Sequence, residues 1–272
     1  MNIKELKRAI REGGRVFGTL IVSTSPHWPA HLRNLGLDFV FLDTEHIALD
    51  RETLSWMCRA YAAMGLPPIV RVPSPDPYAA SQALDGGAAG VVAPYVETVE
   101  QVQALRGAVK LRPIKGKRLE RVLRGEEELE SELKEYLAER NRNNLLLVNI
   151  ESIPAIKNLD AVLAVPDLDG ILVGPHDLSC SLGIPEQYEH PRFTEALRTI
   201  ITKTRERGLI AGMHFMGCGP ISLALEWLRL GLNLQIQHGD IFYVAQGVKQ
   251  DLQAIRKALG EKSLGQSESI LV

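Results

Sequence analysis

A chain of 272 residues with 45% hydrophobic and 24% charged side chains has a globular composition, and its length suits a single α/β barrel. A formal net charge of −2 excludes the strongly basic surface that nucleic-acid binding demands. Cys58, Cys180 and Cys218 form no CxxC pair, and no apolar run approaches the roughly 18 residues of a membrane span, so a reduced, cytoplasmic, membrane-free setting is expected. The opening segment MNIKELKRAIREGG predicts an amphipathic helix with Ile3, Leu6 and Ile10 on one face, unlike the apolar core of a signal peptide.

Behind that helix, residues 15–23 (RVFGTLIVS) predict a first strand, 29–35 a helix, and 37–46 (LDFVFLDTEH) a second strand. Residues 49–64 have helical spacing, 66–73 (LPPIVRVP) predict a third strand closed by prolines, and a short helix and a Gly-Gly turn lead to a fourth strand ending at Pro94. A helix over 98–109 follows. The fifth and sixth strands are the unbroken apolar runs 145–150 and 170–173, a pattern typical of parallel strands buried on both faces. Residues 192–207 predict a helix, 209–215 a seventh strand, 220–230 a helix, 232–239 an eighth strand and 244–259 a closing helix. Eight strand–helix repeats predict a TIM (β/α)8 barrel with an extra N-terminal helix, a single domain over 1–272. The open doubly wound sheet is disfavoured because neither GxGxxG nor a GxxxxGKS/T phosphate loop occurs.

A charged insertion over about 110–144 interrupts the rhythm. Its acidic half predicts a helix with Leu129, Leu133, Tyr136 and Leu137 on one stripe. Its basic half carries Lys115, Lys117, Arg118, Arg121 and Arg124. If the acidic helix is the fourth barrel helix, the basic run lies on the active-site face and can attract an anion; if 98–109 is, the run lies at the opposite end and is merely solvated. The tail over about 261–272 is read as disordered, or as docking on a neighbouring subunit through Ile270–Val272.

Chemistry in such barrels sits at the C-terminal ends of the strands. Those ends carry Asp43, Glu45 and His46, then Arg71, Pro94, Glu151, Asp177, His214, and Gln237 with His238. Glu151 and Asp177, on neighbouring strands, are hard oxygen donors suited to Mg²⁺ or Mn²⁺; each can equally cap the helix that follows it. Arg71 at the end of a buried strand needs an anion, either a substrate oxygen or an internal partner such as Asp43 or Glu45. His46, three residues from Asp43, is a candidate base with an acid to orient it. Asp85 alone reads as a helix-end turn residue, and His214 and His238 as structural. No lysine falls at the end of a barrel strand, so carbonyl activation by a Schiff base has no candidate and a Lewis-acidic metal is the remaining route.

The stretches FLDTEH, VRVP, VNIES and GPHDLS, in this order and spacing, resemble the class II pyruvate-dependent aldolases of the HpcH/HpaI type, the family of 4-hydroxy-2-oxoheptanedioate aldolase. The likeness runs from about Gly18 to the C-terminal helix. It implies a barrel of the phosphoenolpyruvate/pyruvate-domain type, a hexamer built as a trimer of dimers with swapped C-terminal helices, and a divalent cation (Mg²⁺ or Mn²⁺, with Co²⁺ as a further option). By resemblance, Glu151 and Asp177 are the metal ligands and Arg71 binds the pyruvate oxygen. His46 with Asp43 is the proton-transfer pair, Asp85 is a further functional acid, and Gly174, Pro175 and His176 border the substrate carboxylate.

The departures concern the pocket. Asn149 stands where a glutamine is common, and His176 where a small residue is. The aromatic residue frequent in the first strand is absent from the stretch GTLIVS, and IKGKRLERVLRGE replaces a GxRG-type loop. The resemblance implies cleavage of a 4-hydroxy-2-oxo acid to pyruvate and an aldehyde. The rivals are oxaloacetate decarboxylation, a citramalyl- or malyl-CoA-type lyase using Lys115–Arg124 as its nucleotide groove, and a non-catalytic barrel that binds a 2-oxo acid.

Overall fold

Eight parallel strands close a barrel in sequence order, each hydrogen-bonded to its chain neighbours, with the eighth returning to the first. They are β1 (Val16–Leu20), β2 (Phe39–Asp43), β3 (Pro68–Arg71), β4 (Gly90–Ala93), β5 (Leu145–Asn149), β6 (Gly170–Val173), β7 (Ile210–Phe215) and β8 (Leu234–Gly239). The computed structural model describes residues 1–261, so the tail and its Ile270–Val272 contact lie outside the described residues. All eight predicted strands are present; β6 has the predicted bounds, and most of the others are shorter because the predicted runs include loop residues at their ends.

Alternate residues on each strand serve two cores. One set faces inward and fills the barrel: Val16, Phe39, Phe41, Ile69, Val92, Leu145, Leu147, Leu172, Ile210, Leu234 and Ile236. The other faces the helical shell through residues such as Val40, Val70, Val91, Leu146, Ile171 and Met213. Gly18 is required by this packing, since a Cβ there would overlap the Phe39 ring. The lower end is plugged by α1 (Ile3–Arg11), whose Leu6 and Ile10 join the inner core. Asn2 and Glu5 cap that helix reciprocally, which satisfies donors the first turn leaves open.

The shell continues with α2 (Trp28–Leu32), α3 (Arg51–Ala63), α4 (Pro77–Gly86) and α5 (Val99–Lys110). The charged insertion folds as α6 (Gly116–Leu123) and α7 (Ser131–Asn141). Two short helices, α8 (Ile153–Lys157) and α9 (Leu159–Leu163), link β5 to β6; α10 (Pro175–Ser181) and α11 (Pro191–Glu206) follow β6; α12 (Ile221–Leu230) precedes β8, and α13 (Asp240–Leu259) closes the described chain.

Two open questions from the sequence are resolved. Helix α5 packs beside α4 and against β5, so it is the fourth barrel helix. The insertion therefore lies between the bottom of α5 and the start of β5, at the end opposite the strand C-termini. Its basic run stays there, with Arg118 and Arg121 paired to Glu127 and Glu130. Leu129 and Leu137 are buried with Leu111 in a small core of their own, whereas Tyr136 is exposed beside Arg140 and leaves the predicted stripe. Helix α13 leaves the barrel with Ile241, Tyr243, Val244, Val248, Leu252, Ile255 and Leu259 all exposed. Among the described residues no helix is long and apolar enough to cross a membrane.

Candidate active site

Register brings the polar strand ends together. Asp43 of β2 pairs in register with Arg71 of β3, and Arg71 with Val92 of β4. Arg71 forks onto Asp43, Nε to Oδ1 at 2.9 Å and Nη2 to Oδ2 at 2.6 Å, while Nη1 lies 3.0 Å from Glu45 Oε2. The guanidinium also lies over the Phe41 ring, 5.8 Å from its centroid. Burial pushes the Asp43 carboxyl up, but the hydrogen bonds and charge of Arg71 overcome it and hold the group below its ordinary value. Both internal partners foreseen for Arg71 are therefore present together.

This fork alters the predicted pairing of His46 with Asp43. Asp43 gives both oxygens to Arg71, and its Oδ1 also accepts from the Glu45 N–H at 3.0 Å. The acid nearest His46 is Glu45, with Nε2 to Oε2 at 3.8 Å, and the imidazole itself is exposed.

Glu151 follows β5 and is buried at 3% exposure. Its Oε1 accepts from the Tyr95 N–H and its Oε2 from Asn149 Nδ2, both at 2.8 Å. Asn149, a departure from the family pattern, thus holds Glu151 in place. Gly174 leaves room for that carboxylate, because a Cβ there would overlap Oε2. Asp177 lies in the first turn of α10, whose N-terminal residue is the buried Pro175.

The charges at the strand ends are unevenly matched. Burial, followed by the Asp43 and Asp177 charges, pushes Glu45 up to about 7 against the pull of Arg71. Glu151 is likewise pushed up to about 7 by burial and by Asp177, although the Tyr95 N–H opposes the shift. Asp43, Glu45, Glu151 and Asp177 bring four carboxylates against the one Arg71. Asn149 Oδ1 is buried without a hydrogen-bond partner, and Glu45 Oε2 meets Arg71 Nη1 only as an ion pair outside hydrogen-bond geometry. Such a group of oxygens is short of positive charge, and a hard divalent cation fits it. Each Glu151 oxygen keeps a lone pair beyond its hydrogen bond, so the carboxylate can still act as a ligand. Among the described residues no three His, Cys, Asp or Glu side chains converge as a complete metal cage. Glu151 and Asp177 would supply two ligands, with substrate and water supplying the rest.

His214 is buried against Phe41 and Arg71, and burial and the Arg71 charge push it down to about 4. Its Nε2 lies 3.2 Å from the His238 carbonyl, which can only accept, so that nitrogen carries the proton and Nδ1 is left as an acceptor. His176 is exposed, with Nδ1 3.8 Å from Glu186 and Nε2 3.9 Å from Cys180 Sγ.

Asp85 is not brought into the ring. It ends α4 at the opposite end of the barrel, where its exposed carboxylate pairs with Arg112. A ten-residue helix separates it from the strand ends by about 15 Å. Sequence reasoning passed over Tyr95, whose contribution to Glu151 is a backbone N–H that any residue type supplies.

Residues 17–217 match the family model described as HpcH/HpaI aldolase/citrate lyase. The chain belongs to that family. A 2-keto-3-deoxy-L-rhamnonate aldolase of Salmonella gallinarum is 31% identical over 231 residues, covering 84% of each chain. The enzyme of the same name from Klebsiella pneumoniae is 30% identical over 250 residues, covering 90% of this chain and 91% of its own. Among solved structures, the citrate synthase SbnG superposes with a TM-score of 0.77 at 27% identity, over 94% of this chain and 99% of its own. Membership makes this chain one of a family of aldolases and lyases, and the ring at its strand ends is where such chemistry belongs.

Proposed function

We propose that this protein is a class II aldolase that cleaves a 4-hydroxy-2-oxo acid into pyruvate and an aldehyde with the help of a divalent cation, Mg²⁺ or Mn²⁺. The observation that carries this reading is the pair Glu151 and Asp177, which follow the neighbouring strands β5 and β6 in a group of four carboxylates facing one arginine. The absence of any strand-end lysine is consistent with it.

A cation held by Glu151 and Asp177 would polarise the 2-oxo carbonyl and take up the charge that develops as the carbon–carbon bond breaks. Arg71 adds a second positive group, held rigid by its fork onto Asp43, and binds the oxygen on which that charge grows. Asp43 thereby acts through Arg71. His46, next to Glu45, takes the proton of the 4-hydroxyl, directly or through one water. The C3–C4 bond breaks, its electron pair passes to the 2-oxo acid fragment as the enolate, C4 leaves as the aldehyde, and a proton returned to C3, in balance the one taken by His46, gives pyruvate. Gly174 and Pro175 border the carboxylate, with His176 at the rim.

The relatives named for 2-keto-3-deoxy-L-rhamnonate support a 2-keto-3-deoxy sugar acid as the substrate class. A thioester substrate is less well supported, because the basic run from Lys115 to Arg124 lies at the far end of the barrel. The exposed apolar residues of α13 support a homo-oligomer in which this helix packs on a second copy, a hexamer by family resemblance. A role for Asp85 at a ring would require such a copy. Purified protein supplied with Mg²⁺ should release pyruvate from 4-hydroxy-2-oxo acids and lose the activity on EDTA treatment. Decarboxylation of oxaloacetate without any aldolase turnover would instead assign the site to the decarboxylase reading.

A further inference from the structure

Tyr95 stands out at the rim. It follows β4 by two positions and its φ is +51°, a left-handed conformation that is unfavourable for a bulky side chain. Its N–H donates to Glu151 Oε1 at 2.8 Å, and that bond accounts for the backbone. It does not account for the tyrosine. Glycine or asparagine would supply the same N–H at this φ with less strain. An observed outlier of this kind at a site is a reason to ask what the side chain does.

Tyr95 is 49% exposed, and its phenol lies within the field of Asp177, Glu45 and Glu151, with Arg71 beyond. Burial and those carboxylates push its ionisation up, so near neutral pH it is an uncharged donor. Neighbouring groups of the ring already have partners. Arg71, Asp43 and Glu45 are engaged with one another at the ends of β2 and β3. Glu151 Oε2 occupies the space next to Gly174. His46 and His176 also reach the rim, but each is exposed and makes its nearest polar contact at 3.8 Å. The backbone of Tyr95, by contrast, is fixed at the rim by its short hydrogen bond to Glu151.

We propose that Tyr95 determines acceptor specificity: its phenol lines the side on which the aldehyde fragment leaves and donates a hydrogen bond to a hydroxyl of that fragment. This rests on the aldolase reading, in which Glu151 and Asp177 hold the 2-oxo acid end. A substrate with a hydroxyl on the carbon beyond C4 is then preferred over its deoxy analogue.

The test compares pyruvate release from a 4,5-dihydroxy-2-oxo acid and from the matching 4-hydroxy-2-oxo acid. In the Mg²⁺-loaded wild type the ratio of the two kcat/KM values should favour the dihydroxy substrate. In Tyr95→Phe that ratio should fall about tenfold, the worth of one neutral hydrogen bond. Tyr95→Gly, which takes the left-handed φ without strain and keeps the N–H to Glu151, should lower the ratio as far. A purely structural role would move both substrates together and leave the ratio alone. A wild-type ratio near one, or an unchanged ratio in both variants, would overturn the Tyr95 assignment and leave the aldolase reading intact. Wild-type protein that releases pyruvate from neither substrate would overturn both.

Discussion

The two ends of the barrel treat buried charge in opposite ways. At the lower end Asp169 is matched on every side: Lys7 lies 3.1 Å from Oδ1, Lys110 lies 2.5 Å from Oδ2, and the Leu146 N–H donates to the same Oδ2 at 2.8 Å. Lys7 and Lys110 share the Asn144 carbonyl, and Asn141 donates to the carbonyls of Lys110, Arg112 and Leu137. At the upper end, Glu45, Glu151 and Asp177 stand around one arginine already bound by Asp43, and Tyr95 and His238 hold positive φ values of 51° and 44°. A fold gains nothing from unmatched buried carboxylates unless something binds there. The lower network serves stability. The upper one is built for a ligand.

Substitutions at the two ends should therefore separate activity from stability. The largest effect is expected at the mouth, where Glu151→Gln or Asp177→Asn should lower kcat by about 10³-fold or more while the protein still folds, read by pyruvate release and by melting temperature. Arg71→Lys should lower kcat/KM by about 10²-fold, since an ammonium cannot reproduce the fork onto Asp43 and the contact with Glu45. It should also lower the melting temperature, because part of the Asp43 carboxylate would be left buried and unmatched. At the lower end the pattern reverses. Asp169→Asn should destabilise the fold by about 2–3 kcal/mol in chemical denaturation and leave kcat within about twofold, because Lys7 and Lys110 lose their shared partner far from the ring.

The smallest expected effect is one of pH. A carboxyl whose pKa rises on folding, from 4.5 to about 7 for Glu151, holds more protons folded than unfolded between those values. The charged form weakens the fold above that window, and the penalty is relieved as the pH falls through it. Glu151→Gln should accordingly raise the melting temperature of the metal-free protein at pH 8 and raise it less at pH 5.5. Equal gains at both pH values would show that burial of this carboxylate costs the fold nothing.

Much of this contrast is legible in the sequence. The inward and outward residues of parallel strands are both apolar, so runs such as LLLVNI stand out, and the acid after each run marks the mouth. The fork of Arg71 onto Asp43 was within reach as one of two alternatives. Other features were not legible. Both 98–109 and the acidic helix have helical spacing, and only packing against β5 decides between them. His46 lies three residues from Asp43, but bidentate demand from Arg71 outweighs that proximity. Asp85 reads from the sequence as a helix-end turn residue and is one; only the resemblance gave it a functional role. The hold on Glu151 comes from a backbone N–H at Tyr95 and an amide at Asn149, the first of which has no signature in residue type.

The most direct test of a metal site at the strand ends is calorimetric titration of Mn²⁺ into metal-stripped protein at pH 7.5, for the wild type and for Glu151→Gln. The wild type should bind one Mn²⁺ per chain and release protons, because cation binding displaces the proton that Glu151 and Glu45 partly retain near pH 7. The variant should lose this binding by 100-fold or more, about 2.7 kcal/mol. Equal Mn²⁺ affinity in the two proteins, or undiminished pyruvate release from the stripped wild type, would contradict it.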